Sequence, residues 1–91
     1  EYSLSEPYPN PFNPAVQIDY ALPHSGEVEI VVYNILGQKV RTLLSDWQEA
    51  GFQRIAWHGL DDANRQMASG VYLIRVTTSG LLRTRKVVLI R

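Results

Sequence analysis

The sequence predicts an all-β protein, an antiparallel β-sandwich of about seven strands, and three observations predict it. Segments in which apolar and polar residues alternate recur along the chain, as in 16–22 (VQIDYAL) and 27–32 (EVEIVV), the period-two pattern of a half-buried strand. Turn formers punctuate these segments at Gly26, Gly37, Gly51, Asn64 and Gly80, separated by 11, 14, 13 and 16 residues. With 91 residues and no cysteine, the chain has room for one core, closed by packing without disulfides or thiolate–metal sites.

The elements follow in order. All five prolines, Pro7, Pro9, Pro11, Pro14 and Pro23, fall in the first 23 residues. Residues 6–14 (EPYPNPFNP) therefore read as an extended or polyproline-like lead-in, since proline lacks a backbone donor and fixes φ, and they are excluded from any central strand. Residues 1–14 are assigned to this lead-in or linker and 15–91 to the sandwich. Val16, Ile18, Tyr20 and Leu22 form one face of the first long strand, which Pro23-His24-Ser25-Gly26 closes. Val28, Ile30 and Val32 form the next, with Glu27 and Glu29 on the opposite face. Asn34-Ile35-Leu36-Gly37 is a turn, because Asn and Gly tolerate the positive φ of tight turns.

Residues 39–51 (KVRTLLSDWQEAG) carry two patterns, since Val40, Leu43, Leu44 and Trp47 recur at helical spacing. A helix of about a dozen residues is marginal without a broad apolar face, so the reading is a strand over 38–44 followed by a loop containing Trp47. Phe52, Ile55 and Trp57 are placed on a further core-facing strand, and residues 58–65 (HGLDDANR) are a loop rich in turn formers. Gly70 to Thr77 (GVYLIRVT) is dense in β-branched and aromatic residues. Ser79-Gly80 turns the chain into a last strand ending in Val87-Val88-Leu89-Ile90. An unbroken apolar run is expected to be covered on both faces, which puts this strand at the centre of the fold. Short strands at this rhythm specify an immunoglobulin-like sandwich.

Mass scaling gives a folded surface of roughly 5,400 Å², about a third of what the unfolded chain exposes. The formal net charge is zero, yet residues 1–62 hold all nine acids against three bases, Lys39, Arg41 and Arg54, while residues 63–91 hold six bases and no acid. Pairing between the two parts would neutralise this asymmetry; the sharper reading is a basic C-terminal surface that a partner recognises. Nucleic acid is disfavoured by the balanced charge. No apolar run approaches the roughly 18 residues that span a bilayer. Residues 1–6 lack the basic and apolar regions of a signal peptide, so an exported form would draw its export signal from elsewhere in a longer precursor.

Catalytic chemistry finds little support, because nucleophile, base and stabiliser must stand within reach of one another. His24 and His58 both lie in turn contexts and read as solvated loop residues. Glu27 and Glu29 share the polar face of a strand, which fits a solvated surface better than a glycosidase pair. Asp61, Asp62 and Asn64 supply the oxygen ligands a Ca²⁺ site uses, but their spacing matches no EF-hand loop and no bidentate Glu follows, so turn capping is the stronger reading. Among Trp47, Trp57, Tyr20, Tyr33 and Tyr72, most are expected in the core; Trp47, flanked by Asp46 and Gln48, is the best candidate for an exposed sugar-stacking residue. No catalytic residue, metal ligand, cofactor or small-molecule substrate is assigned.

A set of short motifs stands in order: Pro9-Asn10-Pro11-Phe12-Asn13-Pro14, Ile18-Asp19-Tyr20-Ala21-Leu22-Pro23, Val32 to Val40 (VYNILGQKV), Ala50-Gly51, Trp57-His58-Gly59, Ala68-Ser69-Gly70-Val71-Tyr72, and Thr84-Arg85-Lys86-Val87-Val88-Leu89. Together they resemble the C-terminal sorting domain of the type IX (Por) secretion system, type A, in the subgroup that is similar to the immunoglobulin-like domain of the flagellar hook-capping protein. The resemblance covers about residues 7–91, and seven motifs in register are specific where any one is weak.

The resemblance implies a non-catalytic sandwich at the C-terminus of a larger exported protein from a Bacteroidetes-type bacterium. It implies partners in the type IX translocon and in outer-membrane shuttle and sortase proteins. Passage is through the periplasm to the cell surface or medium, followed by sortase cleavage and either surface attachment or release. Carried over by position, the lead-in motif falls on Pro9, Asn10 and Pro11, and recognition by the secretion machinery on Gly70, Val71, Tyr72, Arg83, Arg85, Lys86, Val87, Val88, Leu89 and Arg91. A basic, β-rich terminal segment offers a receptor both charge and a strand to pair with. The chain departs from the family pattern at His58, where Asp is usual, and at Asn64, where Gly is common; Asn tolerates the left-handed conformation, so the turn is expected to survive. The alternative reading is an accessory module that binds carbohydrate or mediates adhesion, and it is favoured if Trp47 and a neighbouring tyrosine are coplanar and exposed.

Overall fold

A computed structural model of the chain describes residues 3–91. Among them are seven strands, β1 (Ser3–Leu4), β2 (Val16–Leu22), β3 (Gly26–Asn34), β4 (Lys39–Gln48), β5 (Gly51–Trp57), β6 (Gly70–Thr78) and β7 (Leu81–Leu89), and no helix. They form two antiparallel sheets, ordered β1-β2-β5 and β4-β3-β6-β7, which is the immunoglobulin-like sandwich expected from the alternation and turn rhythm. The folded surface is 5343 Å², in line with the roughly 5,400 Å² that mass scaling gives.

The core follows strand parity. Val16, Ile18, Tyr20 and Leu22 of β2 face Val28, Ile30 and Val32 of β3, Tyr72, Ile74 and Val76 of β6, and Val87 and Leu89 of β7, all buried. Each such side chain contributes on the order of 1.5–3 kcal/mol when fully buried. Trp57 ties the layers together at one end: its ring lies 5.6 Å from Phe12 of the lead-in and 5.0 Å from Tyr72 of the opposite sheet. Its indole N–H donates to the Leu60 carbonyl at 2.8 Å, and the Tyr72 hydroxyl donates to the Ala68 carbonyl at 2.7 Å.

Three expectations are corrected. The strand expected over 38–44 runs on to Gln48, pairing with β3 as far as Gly26, so Trp47 stands on a strand and not in a loop. The helical spacing there has a physical source. The β3–β4 register slips between Ile30 and Val31 and again between Val32 and Tyr33, leaving Leu43 and Val40 of β4 as the extra residues. Each bulge resets which face the strand buries, which gives the step of three from Val40 to Leu43; Trp47, beyond both bulges, is exposed. Phe52 does not share the core with Ile55 and Trp57; it lies an odd number of residues from both, points outward, and is 90% exposed. Finally, β7 is not central but the edge strand of the four-stranded sheet. Val87 and Leu89 are buried, while Val88 lies on the outer face opposite Val71 and Ile90 is half exposed.

Candidate functional site: the terminal strand and its seal

The motifs at both ends of the chain and at 57–59 meet around β7. Antiparallel pairing without a bulge sets Gly70 opposite Leu89, Val71 opposite Val88, Tyr72 opposite Val87, Leu73 opposite Lys86 and Ile74 opposite Arg85. Of the residues assigned to recognition, Tyr72, Val87 and Leu89 are core; Val71, Arg83, Lys86 and Arg91 are exposed; Gly70, Arg85 and Val88 are half-buried. The accessible part of this set is thus the outer face of β6 and β7 and the flanks of β7.

The lead-in lies against the open edge of β7. Asn10 spans it like a peptide unit, its Nδ2 donating to the Lys86 carbonyl at 3.0 Å and its Oδ1 accepting from the Val88 N–H at 2.9 Å. Phe12 continues the seal, its N–H donating to the Val88 carbonyl at 2.9 Å and its carbonyl accepting from the Ile90 N–H at 3.0 Å. Its ring is 2% exposed. Pro9 and Pro11 are exposed and flank Asn10. On the other side, Tyr8 bridges to Gln17 of β2, and its hydroxyl donates to Asp19 at 2.7 Å.

Arg85 points toward the interior side of its sheet and emerges at the sandwich edge, where its guanidinium reaches the Leu4 and Ser5 carbonyls at 3.1 and 3.4 Å and Glu6 at 3.7 Å. Arg91 closes the far end. Its Nη2 donates to the Gly59 carbonyl at 2.7 Å, its Nε to the Met67 carbonyl at 2.6 Å, and its N–H to the Ser69 hydroxyl at 2.8 Å. Neutralisation between the acidic and basic parts of the chain is partial. Asp61–Arg65 and Glu6–Arg85 cross between them, but Arg75 stacks on Tyr33, 4.7 Å from the ring centroid. Among the described residues no carboxylate stands within ion-pair distance of Arg75, Arg83 or Lys86.

The oxygens of the 58–65 loop are spent within the loop and on the neighbouring β4. Asp61 accepts from the backbone N–H groups of Ala63 at 2.9 Å and Arg65 at 2.8 Å and from the Arg65 guanidinium at 2.9 Å. Those bonds, the Arg65 N–H first, hold its carboxyl below the usual carboxylate pKa. Asp62 accepts from the Thr42 N–H at 3.1 Å and Asn64 from Arg41 at 3.1 Å. Asn64 adopts φ 62°, the left-handed turn expected of it. His24 and His58 are exposed, and Glu27 and Glu29 lie on the exposed face of β3. Trp57, Tyr20 and Tyr72 are buried, Trp47 is 53% exposed, and among the described residues no aromatic ring pairs with Trp47.

Sequence reasoning missed three participants. Asn10 enters the sequence reading only as part of a motif, although an Asn between prolines has a side chain free to substitute for the backbone donors that proline lacks. Phe12 falls in the lead-in by sequence, yet it is the lone large apolar residue among prolines and asparagines in 9–14. The contact between Gly59 and Arg91 had no local signal, since it joins residues 32 apart.

Comparison with known proteins places this architecture. The chain belongs to the FlgD Ig-like domain family, whose profile matches residues 13–80; β7 lies beyond the matched stretch. No curated protein matches. Among solved structures, dimeric latent PorU from Porphyromonas gingivalis superimposes with a TM-score of 0.75 over 99% of the chain at 16% identity. FlgD from P. aeruginosa gives 0.62 over 81% at 26% identity. PorZ, an essential bacterial surface component of the type IX secretion system of P. gingivalis, gives 0.59 over 99% at 20% identity. The chain spans 9% of PorU, 57% of FlgD and 11% of PorZ.

Proposed function

We propose that the chain is the sorting domain of a larger cargo protein, directing it across the outer membrane through the type IX secretion system. The observation that carries this reading is the superposition of 99% of the chain on both PorU and PorZ, PorZ being a component of that system. The seven ordered motifs and the unneutralised bases around β7 support it. In this reading the domain acts by being bound and not by catalysis. Its partners are the translocon and the outer-membrane shuttle and sortase proteins, and it travels through the periplasm to the surface, where sortase cleavage leads to attachment or release. No helix of the described residues is long and apolar enough to cross a membrane.

The test is a fusion of residues 1–91 behind a fluorescent reporter bearing a signal peptide, expressed in a bacterium with a working type IX system and in a strain lacking the translocon. Translocon-dependent appearance of the reporter outside the outer membrane is expected. Retention of an intact, folded fusion in the periplasm of both strains sinks the reading.

A further inference from the structure

The edge of β7 is divided into a sealed half and an open half. In an antiparallel pair the backbone groups of alternate residues point toward and away from the partner strand. The bonds made by the lead-in show that Lys86, Val88 and Ile90 point away from β6, and with no register slip in the β6–β7 ladder Leu82 and Thr84 point the same way. Over 86–90 the Lys86 carbonyl, both Val88 groups and the Ile90 N–H are occupied by Asn10 and Phe12. Over 82–86 the Arg83 guanidinium reaches the Leu82 carbonyl at 3.0 Å. Among the described residues nothing pairs with the Thr84 N–H, the Thr84 carbonyl or the Lys86 N–H. The stretch is open to solvent: Leu82, Arg83, Thr84 and Lys86 are all exposed.

We propose that residues 82–86 of β7 form a docking edge for an extended, acidic segment of a partner protein; the identity of that partner as secretion machinery rests on the reading above, the edge itself does not. An unpaired edge is a template for strand addition, in which main-chain bonds give affinity and alternate side chains give selectivity. Arg83 and Lys86 flank this edge on its two faces without carboxylate partners, and Arg75 adds charge beside Thr84 on the outer face. Of the acids placed around it, Glu6 is held by Arg85, and Glu29 lies two strands away on β3, opposite Thr77 and outside ion-pair distance of these bases. An acidic strand is therefore the occupant this edge selects. The seal at 86–90 has a consequence for how a partner engages. A strand added at 82–86 leaves Val87 and Leu89 in the core, so the terminal strand is recognised without leaving its sheet.

The test titrates the isotopically labelled 91-residue chain with a short synthetic peptide of alternating Glu and Val, and with a Lys/Val peptide of equal length. Amide shifts confined to 82–86 with the Glu/Val peptide are expected. Thr84→Pro removes an outward N–H, a position where an edge strand accepts proline, and weakens binding by about tenfold through loss of one hydrogen bond and the block by the ring. Thermal unfolding checks that this variant is folded; should it not be, Lys86→Glu, whose head group is solvated, gives the same readout by charge reversal. Shifts at the edges of β4 or β5, no shifts, equal binding of the Lys/Val peptide, undiminished binding by a folded Thr84→Pro, or self-association through 82–86 in sedimentation each overturn the proposal. Reporter export separates the two readings. Peptide binding without translocon-dependent export removes the secretion reading and keeps the edge, whereas export of a folded Thr84→Pro fusion at the wild-type level removes the edge as the recognition element.

Discussion

The Arg91 guanidinium packs directly on Gly59: a β-carbon there would stand 2.7 Å from Arg91 Nη2, which would have to shift, and 3.4 Å from the Leu89 side chain, at a backbone φ of +72°. The two ends of the motif region are joined by this contact. The 57–59 turn is shaped to receive the end of the last strand, so the terminal residue holds a loop that Trp57 anchors in the core. Gly59→Ala is expected to destabilise by about 1–2 kcal/mol from the left-handed backbone alone, and by more through displacement of Arg91. Arg91→Ala alone removes two charge-assisted bonds to carbonyls and costs about 1 kcal/mol. A double-mutant cycle followed by thermal unfolding checks the coupling: in the Arg91→Ala background, Gly59→Ala should cost only its backbone part.

Phe12 behaves as core although it lies among prolines. It is buried against Trp57, and its backbone seals Val88 and Ile90. Phe12→Ala should therefore cost about 3–5 kcal/mol, a large share of the roughly 5–15 kcal/mol that holds such a domain. Phe52→Ser, at the most exposed large hydrophobic side chain of the described residues, should stay within about 0.5 kcal/mol. Urea midpoints of the two variants give the comparison.

Much of this was legible in the sequence because alternation and turn chemistry are local. The partition of Val16, Ile18, Tyr20 and Leu22 from their neighbours, the Asn34–Gly37 turn and the left-handed Asn64 all follow from a few adjacent residues. The extent of β4 was not, because its two bulges at Val40 and Leu43 are decided by the partner strand. The edge position of β7 was misread for a related reason. An apolar run signals burial on both faces, but here Val88 covers an outer sheet face with Val71, and the segment that shields the strand edge comes from residues 10–12. The motifs at Asn10, Gly59 and 84–89 lie together around β7 through long-range contacts that no local pattern carries.

Acid should weaken the fold through two carboxylates. Asp61 is held below its ordinary pKa by the Arg65 and Ala63 N–H groups and the Arg65 side chain, and Asp19 by the Arg54 guanidinium and then the Tyr8 hydroxyl. A depressed carboxylate binds its proton more readily in the unfolded chain, so its contribution is complete above the ordinary value of 3.8 and is lost as pH falls through the lower folded value. Stability should therefore be level from neutral pH to about pH 5 and decline below about pH 4. Asp61→Asn should lower stability at neutral pH and flatten the decline, which a series of urea midpoints between these values would read.

Trp47 separates the sorting reading from a carbohydrate-binding one. It stands on β4 opposite Glu27, half exposed and without an aromatic partner among the described residues, whereas a sugar platform needs a stacking face held in place by neighbours. β4 is also the far edge of its sheet from β7, so a change at Trp47 leaves the basic docking edge intact. Trp47→Ala is expected to alter stability by about 0.5 kcal/mol or less and to leave reporter export at the wild-type level. Lys86→Glu should reduce export with the unfolding midpoint unchanged. The reverse pattern, export insensitive to Lys86 and glycan retention abolished by Trp47→Ala, would move the functional surface to the opposite side of the sheet.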